Sequence, residues 1–173
     1  MSWKEKEFEE SMQPSIDNIY TNCFSNIDNI KRNIRTNENS KSMFMDIELG
    51  IDTIITFKDG SMITLQEKTL RHTKQHFQQF TFEYYNQPKT KDKGEWFKLA
   101  SQFYFFGYAN KTHTGYLQYW IINVANLRLF LNGKNINKYL RQNPPPAMAN
   151  FYAIPFDVFE DNIFYKKHDS LEI

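Results

Sequence analysis

Apolar residues in the first 24 positions recur every three to five residues, the spacing of one face of an α-helix. Pro14 lies inside this pattern, so we expect it either to start a second helical segment or to kink the first. Residues 27–34 fit either an extension of that helix or a strand. The polar residues 36–42 predict a loop.

A β-hairpin is predicted in the middle of the chain. Residues 50–57 are rich in the β-branched side chains that favour strands. The Asp59-Gly60 pair that follows favours a tight turn, so residues 62–70 are expected to return as the second strand. Residues 80–85 predict a third strand.

The second half of the chain alternates between helical and extended patterns. Residues 95–108 have apolar positions at helical spacing, which predicts a helix. Residues 116–124 predict a buried strand and residues 126–131 a short helix. Beyond a stiff triple proline, the apolar segments 151–154 and 157–165 indicate no single type.

This order of elements predicts an α/β fold in which helices pack on a mixed central sheet. The 173 residues suit a single domain over residues 1–173. We expect its core to span about residues 3–124 and residues 125–173 to form a C-terminal appendage.

Composition narrows the class of protein without deciding its function. The net charge is only +1, so any nucleic-acid site must arise from local clustering of basic residues. Cys23 is the single cysteine, which excludes an internal disulfide and a cysteine-based zinc cluster. The charged N-terminus and the short apolar runs predict a cytoplasmic protein with no membrane partner.

The predicted hairpin places candidate metal-binding and catalytic side chains on one face of the sheet. Side chains alternate along a strand, so Gln66 and Lys68 share a face, and the turn sets Asp52 opposite them. A carboxylate and an amide oxygen are ligands that suit Mg²⁺, and the backbone carbonyl of Glu67 offers another oxygen. A lysine beside such a metal site can orient water and offset phosphate charge.

This pattern resembles the PD-(D/E)XK nuclease superfamily, in its Mrr-like branch with glutamine in the second half-motif. The matching residues are Gly50-Ile51-Asp52 and Leu65-Gln66-Glu67-Lys68, with thirteen residues between Asp52 and Gln66. The order of elements over about residues 3–124 is also similar to that superfamily's restriction-endonuclease-like αβββαβ core.

The resemblance implies a metal-dependent nuclease that uses Mg²⁺ or Mn²⁺. It implies that Asp52 and Gln66 hold the metal with Glu67, and that Lys68 serves catalysis. A glutamate of the first helix often joins such a site, and Glu10 is preferred here over Glu7. DNA is the expected substrate ahead of RNA, and many such nucleases act as homodimers.

Further residues fit either a role in the site or ordinary solvent exposure. Arg71 and Lys74 follow the Lys68 strand directly and are candidates to contact phosphate. His72 and His76 fit phosphate contacts or plain surface, and the lysines at 89, 91 and 93 fit phosphate contacts or a solvated loop. Asp46, Glu48 and Glu83 are candidate extra carboxylates.

Two other functions stay open at this point. A glutamine in place of a carboxylate weakens metal binding, so the chain fits a catalytically inactive nucleic-acid-binding protein of the same fold. The many aromatic residues and the near-neutral charge also fit a phage-type protein-interaction or inhibitor module.

Overall fold

The computed structural model describes residues 3–33, 40–87, 89–145 and 147–169. The α-helices are α1 (Trp3–Cys23), α2 (Ser40–Leu49), α3 (Glu95–Lys98) and α4 (Val124–Leu131). The 3-10 helices are η1 (His72–Phe77), η2 (Asn137–Tyr139), η3 (Phe156–Val158) and η4 (Asp161–Ile163). The first five strands are β1 (Ile27–Arg32), β2 (Thr53–Phe57), β3 (Met62–Leu70), β4 (Gln79–Gln87) and β5 (Asp92–Lys93). The other five are β6 (Phe103–Ala109), β7 (Tyr116–Asn123), β8 (Leu140–Gln142), β9 (Asn150–Pro155) and β10 (Phe164–His168).

The strands of the described residues form two sheets. The first has the order β1-β2-β3-β6-β7-β10 and is mixed, since β3 and β6 are parallel and the other neighbours antiparallel. The second sheet has the order β5-β4-β9-β8 and is antiparallel throughout. The protein is therefore α/β with a mixed sheet, as the order of elements predicted.

Two layers cover opposite faces of the first sheet. Ile16 and Tyr20 of α1 pack on Leu65 and Phe105 on one face. The other face packs against the second sheet, and the residues of that core include Phe80, Phe82, Tyr104, Phe106, Trp120 and Tyr152. Each fully buried side chain of this size contributes about 1.5–3 kcal/mol of hydrophobic stabilisation. Because side chains alternate along β3, Leu65 and Glu67 face α1 whereas Gln66 and Lys68 face the second sheet.

The hairpin around Asp59-Gly60 is confirmed, with Thr53 paired to Leu65 across β2 and β3. Its first strand begins at Thr53 and not at residue 50, so Asp52 directly precedes the strand. The ambiguous residues 27–34 contain a strand, β1, and α1 continues through Pro14. The third predicted strand is present as β4, but it belongs to the second sheet.

The helix predicted over residues 95–108 is wrong. Only Glu95–Lys98 is helical, and Phe103–Ala109 forms the central strand β6. This strand is covered on both faces, so it is apolar at almost every position and its spacing also matches a helix. The loop prediction for residues 36–42 is wrong from Ser40 onward, where α2 begins, and residues 34–39 lie outside the described part.

The segment after residue 125 supplies strands to both sheets. β10 pairs with β7 at the edge of the first sheet, and β9 lies between β4 and β8 in the second. No helix in the described part of the chain is both long and apolar enough to cross a membrane.

Candidate active site

Asp52 lies at the turn where the chain leaves α2 and enters β2. Its N–H donates to the Leu65 carbonyl at 2.9 Å, and its carbonyl accepts from the Asn33 N–H at 2.6 Å. Gly50 has φ +55°, and a Cβ there would lie 3.2 Å from Gln66 Oε1. A glycine therefore suits this turn, which sets the Asp52 side chain against β3.

Asp52 and Gln66 are in direct contact. Gln66 Nε2 donates to Asp52 Oδ2 at 2.7 Å, and the Glu67 N–H donates to the same oxygen at 2.8 Å. Gln66 Oε1 is buried and has no hydrogen-bond partner. Leaving such an oxygen unsatisfied costs about 1–3 kcal/mol of stability. The amide nitrogen of Gln66 thus forms a hydrogen bond, whereas its oxygen forms none.

Lys68 is held by groups from outside its own hairpin. Its Nζ donates to the Thr81 carbonyl of β4 at 3.0 Å and lies 3.8 Å from Glu95 Oε2. The side chains of Lys68 and Glu95 are 28% and 18% exposed, so this ion pair is partly shielded from water. The ammonium group is thus fixed between the hairpin and the second sheet.

Glu95 connects Lys68 to a buried hydroxyl. Tyr104 is fully buried, and its hydroxyl donates to Glu95 Oε1. Burial, and then the negative charge of Glu95, raise the pKa of Tyr104 well above its usual value, with smaller contributions from Asp52 and Glu83. Three carboxylates therefore act electrostatically on this one hydroxyl.

No sequence pattern singles out Glu95, because the residues around it also match the spacing of a long helix. The acid directly follows Gly94 at the end of a polar connection, and this was the available signal. A Cβ at Gly94 would lie 2.8 Å from the carbonyl carbon and oxygen of Glu83. Only glycine allows the chain to approach β4 this closely, and the approach brings Glu95 to Lys68 and Tyr104.

The carboxylate of Glu67 belongs to the opposite face of the sheet. Its Oε1 accepts from the Tyr20 hydroxyl at 2.9 Å and from the Thr53 hydroxyl at 2.8 Å. Arg32 pairs with it at 3.3 Å and with Asp17 at 2.7 Å. Burial by itself lowers the pKa of Arg32, but the charges of Glu67 and Asp17 outweigh it and the pKa is raised.

The backbone of Glu67 nevertheless points toward Asp52. Its N–H donates to the Asp52 carboxylate, and the N–H and C=O of one strand residue point to the same side of the strand. The Glu67 carbonyl is therefore directed to the side on which Asp52 lies, as the sequence-based hypothesis requires.

The structure does not bring Glu10 to this cluster. Glu10 is exposed on α1, which covers the face opposite Gln66 and Lys68. Glu7 is exposed on the same helix. Glu48 is exposed on α2, and the side chain of Asp46 lies outside the described part.

The predicted phosphate contacts follow β3 in the structure. The Arg71 guanidinium lies 4.1 Å from the centre of the Phe8 ring, and its Nη1 lies 3.5 Å from His113 Nε2. Lys74 is exposed on η1, with its Nζ 5.8 Å from the centre of the Phe77 ring. Both residues lie beyond the C-terminal end of β3, while Gln66 and Lys68 lie within it.

Among the described residues, no three histidine, cysteine, aspartate or glutamate side chains come close enough together to hold a metal ion. A metal site at Asp52 must therefore combine the carboxylate with neutral oxygens. The candidates are the unpartnered Gln66 Oε1 and the Glu67 carbonyl. Hard oxygen donors of this kind suit Mg²⁺ or Mn²⁺.

Charge is unevenly distributed along the chain. Residues 68–156 contain 12 lysine and arginine residues and three acidic ones, whereas the remaining residues contain nine and 17. All four strands of the second sheet come from the basic segment, and two of its three acids, Glu83 and Glu95, surround Lys68 or Tyr104. The net charge of +1 thus hides a basic segment, which supplies the second sheet and also β6 and β7 of the first.

The chain matches no protein-family model, and comparison with the curated proteins and with the solved structures gives no match either. The geometry of the site and the chemistry of its residues therefore carry the functional argument.

Proposed function

We propose that the protein is a metal-dependent nuclease whose active site is built from Asp52, Gln66 and Lys68. The observation that carries the proposal is the state of the Gln66 amide. Its nitrogen binds the Asp52 carboxylate, while its oxygen is buried without a hydrogen-bond partner. A cation is a partner that such an oxygen can take in place of a hydrogen bond.

The residues present fit a single divalent cation. Asp52, the amide oxygen of Gln66 and the backbone carbonyl of Glu67 would hold it, which gives the site one negative charge and two neutral oxygens. A bound Mg²⁺ or Mn²⁺ supplies a Lewis acid for a phosphate oxygen and lowers the pKa of a bound water.

Lys68 has the position and charge to act on the phosphate. Its ammonium group is fixed by Thr81 and Glu95, so little reorganisation is needed when negative charge builds up in the transition state. Glu95 contacts Lys68 and Tyr104 and serves in this proposal as a positioning residue for Lys68.

The fold supports the restriction-endonuclease-like assignment in outline. A helix and strand precede the hairpin β2–β3, and β6 lies parallel beside β3, as the αβββαβ resemblance implies. The chain departs from that pattern in two places. α2 is inserted before the hairpin, and the crossover from β3 to β6 carries β4, β5 and the short α3 in place of a long helix.

A nucleic acid is the substrate that best fits the charge distribution. The connection that leads to Glu95 is a basic surface, because it has the exposed lysines Lys89, Lys91 and Lys93 against the single exposed acid Asp92. Phosphate backbones are attracted to such surfaces, and the attraction weakens with salt. DNA is placed ahead of RNA by resemblance alone.

The test is cleavage of labelled DNA and RNA by the full-length protein, with Mg²⁺, with Mn²⁺ or with a chelator. We expect cleavage only with metal, and Lys68→Ala is expected to reduce its rate by about 10²–10³, the usual loss on removing one charge-stabilising group. Asp52→Ala is expected to abolish it. Lys58→Ala is a matched control, because Lys58 is exposed at the turn of the same hairpin. Wild-type rates in both site variants would falsify the proposal.

A non-catalytic nucleic-acid-binding protein is the second candidate. It is favoured by the pairing of Lys68 with Glu95 and by the single carboxylate in the proposed metal site. Calorimetric titration with Mn²⁺ separates the two functions. Binding that is lost in Asp52→Ala supports the nuclease, and nucleic-acid binding without any metal binding supports the second candidate.

A further inference from the structure

Three aromatic rings form a partly exposed surface beside the proposed active site, and we name it the aromatic ledge. It consists of Tyr84, Tyr85 and Phe97. Tyr85 and Phe97 are stacked, with ring centres 5.9 Å apart and an interplanar angle of 24°. Tyr84 lies 4.8 Å from Phe97, which is 40% exposed. An exposed ring of this size in contact with two further rings offers a surface for another aromatic group.

Local backbone features build the ledge. The register between β4 and β9 shifts between Glu83 and Tyr85, and a bulge of this kind redirects side chains. Tyr84 and Tyr85 therefore both reach Phe97, although neighbours on a regular strand point to opposite faces. Gly94 closes the chain onto Glu83 and brings α3, with Phe97, against them.

The ledge is continuous with the residues that hold Lys68. Phe97 lies two residues after Glu95 in α3, and Glu95 Oε2 lies 3.8 Å from Lys68 Nζ. The Glu83 N–H, next in sequence to Tyr84, lies 3.4 Å from the same Glu95 oxygen. Glu95 thus contacts both Lys68 and the backbone next to Tyr84, which puts the rings in the same region of the molecule as the Lys68 ammonium group.

Cations flank the ledge. The Lys93 Nζ lies 5.7 Å from the centre of the Phe97 ring, and Lys89 and Lys91 are exposed on the same connection. Aromatic rings among basic side chains are the combination that binds single-stranded nucleic acids, since bases stack on the rings and cations follow the phosphates.

We infer that the aromatic ledge stacks an unpaired nucleobase next to the active site, so that the substrate is single-stranded at the reacting position. This inference rests on the proposed nuclease function and names its substrate class. Bases of a duplex are already stacked and paired, and their faces are not available to Phe97 and Tyr85.

The experiment measures binding by fluorescence anisotropy with the full-length protein and a chelator, so that no cleavage occurs. The probes are labelled oligothymidylate and oligouridylate of about 12 nucleotides, an abasic strand of equal charge and a duplex. We expect both base-containing single strands to bind more tightly than the abasic strand and the duplex.

Phe97→Leu removes the aromatic face but keeps an apolar side chain. It is expected to weaken oligothymidylate binding about five- to 150-fold, the range for one stacked base, and to leave abasic binding unchanged. Tyr85→Leu is the second variant and is expected to weaken oligothymidylate binding in the same way, so that the inference can still be tested if Phe97→Leu does not fold. Phe77→Leu is the control, because Phe77 is 52% exposed beside Lys74 but precedes β4, whereas the ledge lies near its other end.

Equal binding of the base-containing and abasic strands would overturn the inference, as would tighter binding of the duplex. So would equal losses in Phe97→Leu and Phe77→Leu. The outcome is separable from the nuclease test. Base-dependent binding without metal-dependent cleavage refutes the nuclease function but supports base stacking on the aromatic ledge. Metal-dependent cleavage without base-dependent binding supports the nuclease function but refutes the stacking.

Discussion

Gln66 shows how much of the site depends on one residue. A glutamate there would place a second carboxylate against Asp52, and the two would repel each other without a cation. The amide instead donates to Asp52 at 2.7 Å and keeps its oxygen unpartnered. The amide therefore holds the Asp52 carboxylate in place, and its own oxygen lies beside that carboxylate, where the proposal needs a neutral ligand.

Gly94 is the residue on which the second half of the site depends. Gly94→Ala would force a Cβ to 2.8 Å from the Glu83 backbone, so a shift of the chain is unavoidable. We expect a loss of about 1–3 kcal/mol in the free energy of unfolding, measured by urea denaturation. In the same variant, Lys68 should lose its contact with Glu95, and cleavage should slow.

Gly115→Ala is the control for this change, because a Cβ there meets only Asn110 Nδ2 at an ordinary 3.5 Å. Its free energy of unfolding should stay within about 0.5 kcal/mol of the wild type. If the two variants are equally stable, the close approach at Gly94 does not constrain the fold.

Among the elements, β3 carries different chemistry on its two faces. Gln66 and Lys68 face the second sheet, and Glu67 faces α1 within a buried network with Arg32, Tyr20 and Thr53. The network lies on the face of β3 opposite Gln66 and Lys68. It stabilises the register of β3 against β2, because Thr53 of β2 donates a hydrogen bond to Glu67 of β3.

Arg32→Met tests this support. The side chains of Arg32 and Glu67 are 13% and 12% exposed, and removing the arginine leaves a carboxylate without its counter-charge. We expect a loss of about 3–5 kcal/mol in the free energy of unfolding. Lys167→Met is the comparison, because its ion pair with Asp161 is exposed and should contribute less than about 1 kcal/mol. Similar losses in the two variants would contradict a supporting role for the network.

The elements differ in how far the sequence predicts them, and the reasons are physical. The β2–β3 hairpin was predictable because its turn sets its register, and with it the meeting of Asp52 and Gln66. β6 was not predictable, because a strand that is buried on both faces lacks the alternation of apolar and polar residues that distinguishes a strand from a helix. The role of Glu95 was not predictable either, since its contact with Lys68 depends on β4 lying in a second sheet, and a local pattern predicts a strand but not the sheet to which it belongs.

At the scale of the whole molecule, buried tyrosines link stability to alkaline pH. Tyr20 and Tyr104 are fully buried, and each donates its hydroxyl to a carboxylate. Burial first, and then the neighbouring carboxylate, raise the pKa of each tyrosine above its usual value of 10.0.

An unfolded chain releases these two protons near pH 10 and the folded chain retains them. Their contribution is therefore complete below about pH 10 and is lost as the pH rises above it. We expect the urea midpoint to fall steeply between about pH 9 and pH 11. A Tyr20→Phe and Tyr104→Phe double variant should show a shallower fall, whatever its stability at neutral pH. An unchanged slope would mean that other groups control the alkaline loss.

The parallel pairing of β3 with β6 also sets the order in which the site can be completed. Asp52 and Lys68 leave the ribosome well before Glu95 and Tyr104, and the loop between the two parallel strands must close before they meet. A nascent chain that ends near residue 90 contains the hairpin and Thr81 but lacks Glu95, the acid that pairs with Lys68. The proposed activity is thus withheld until Glu95 and Tyr104 have been made.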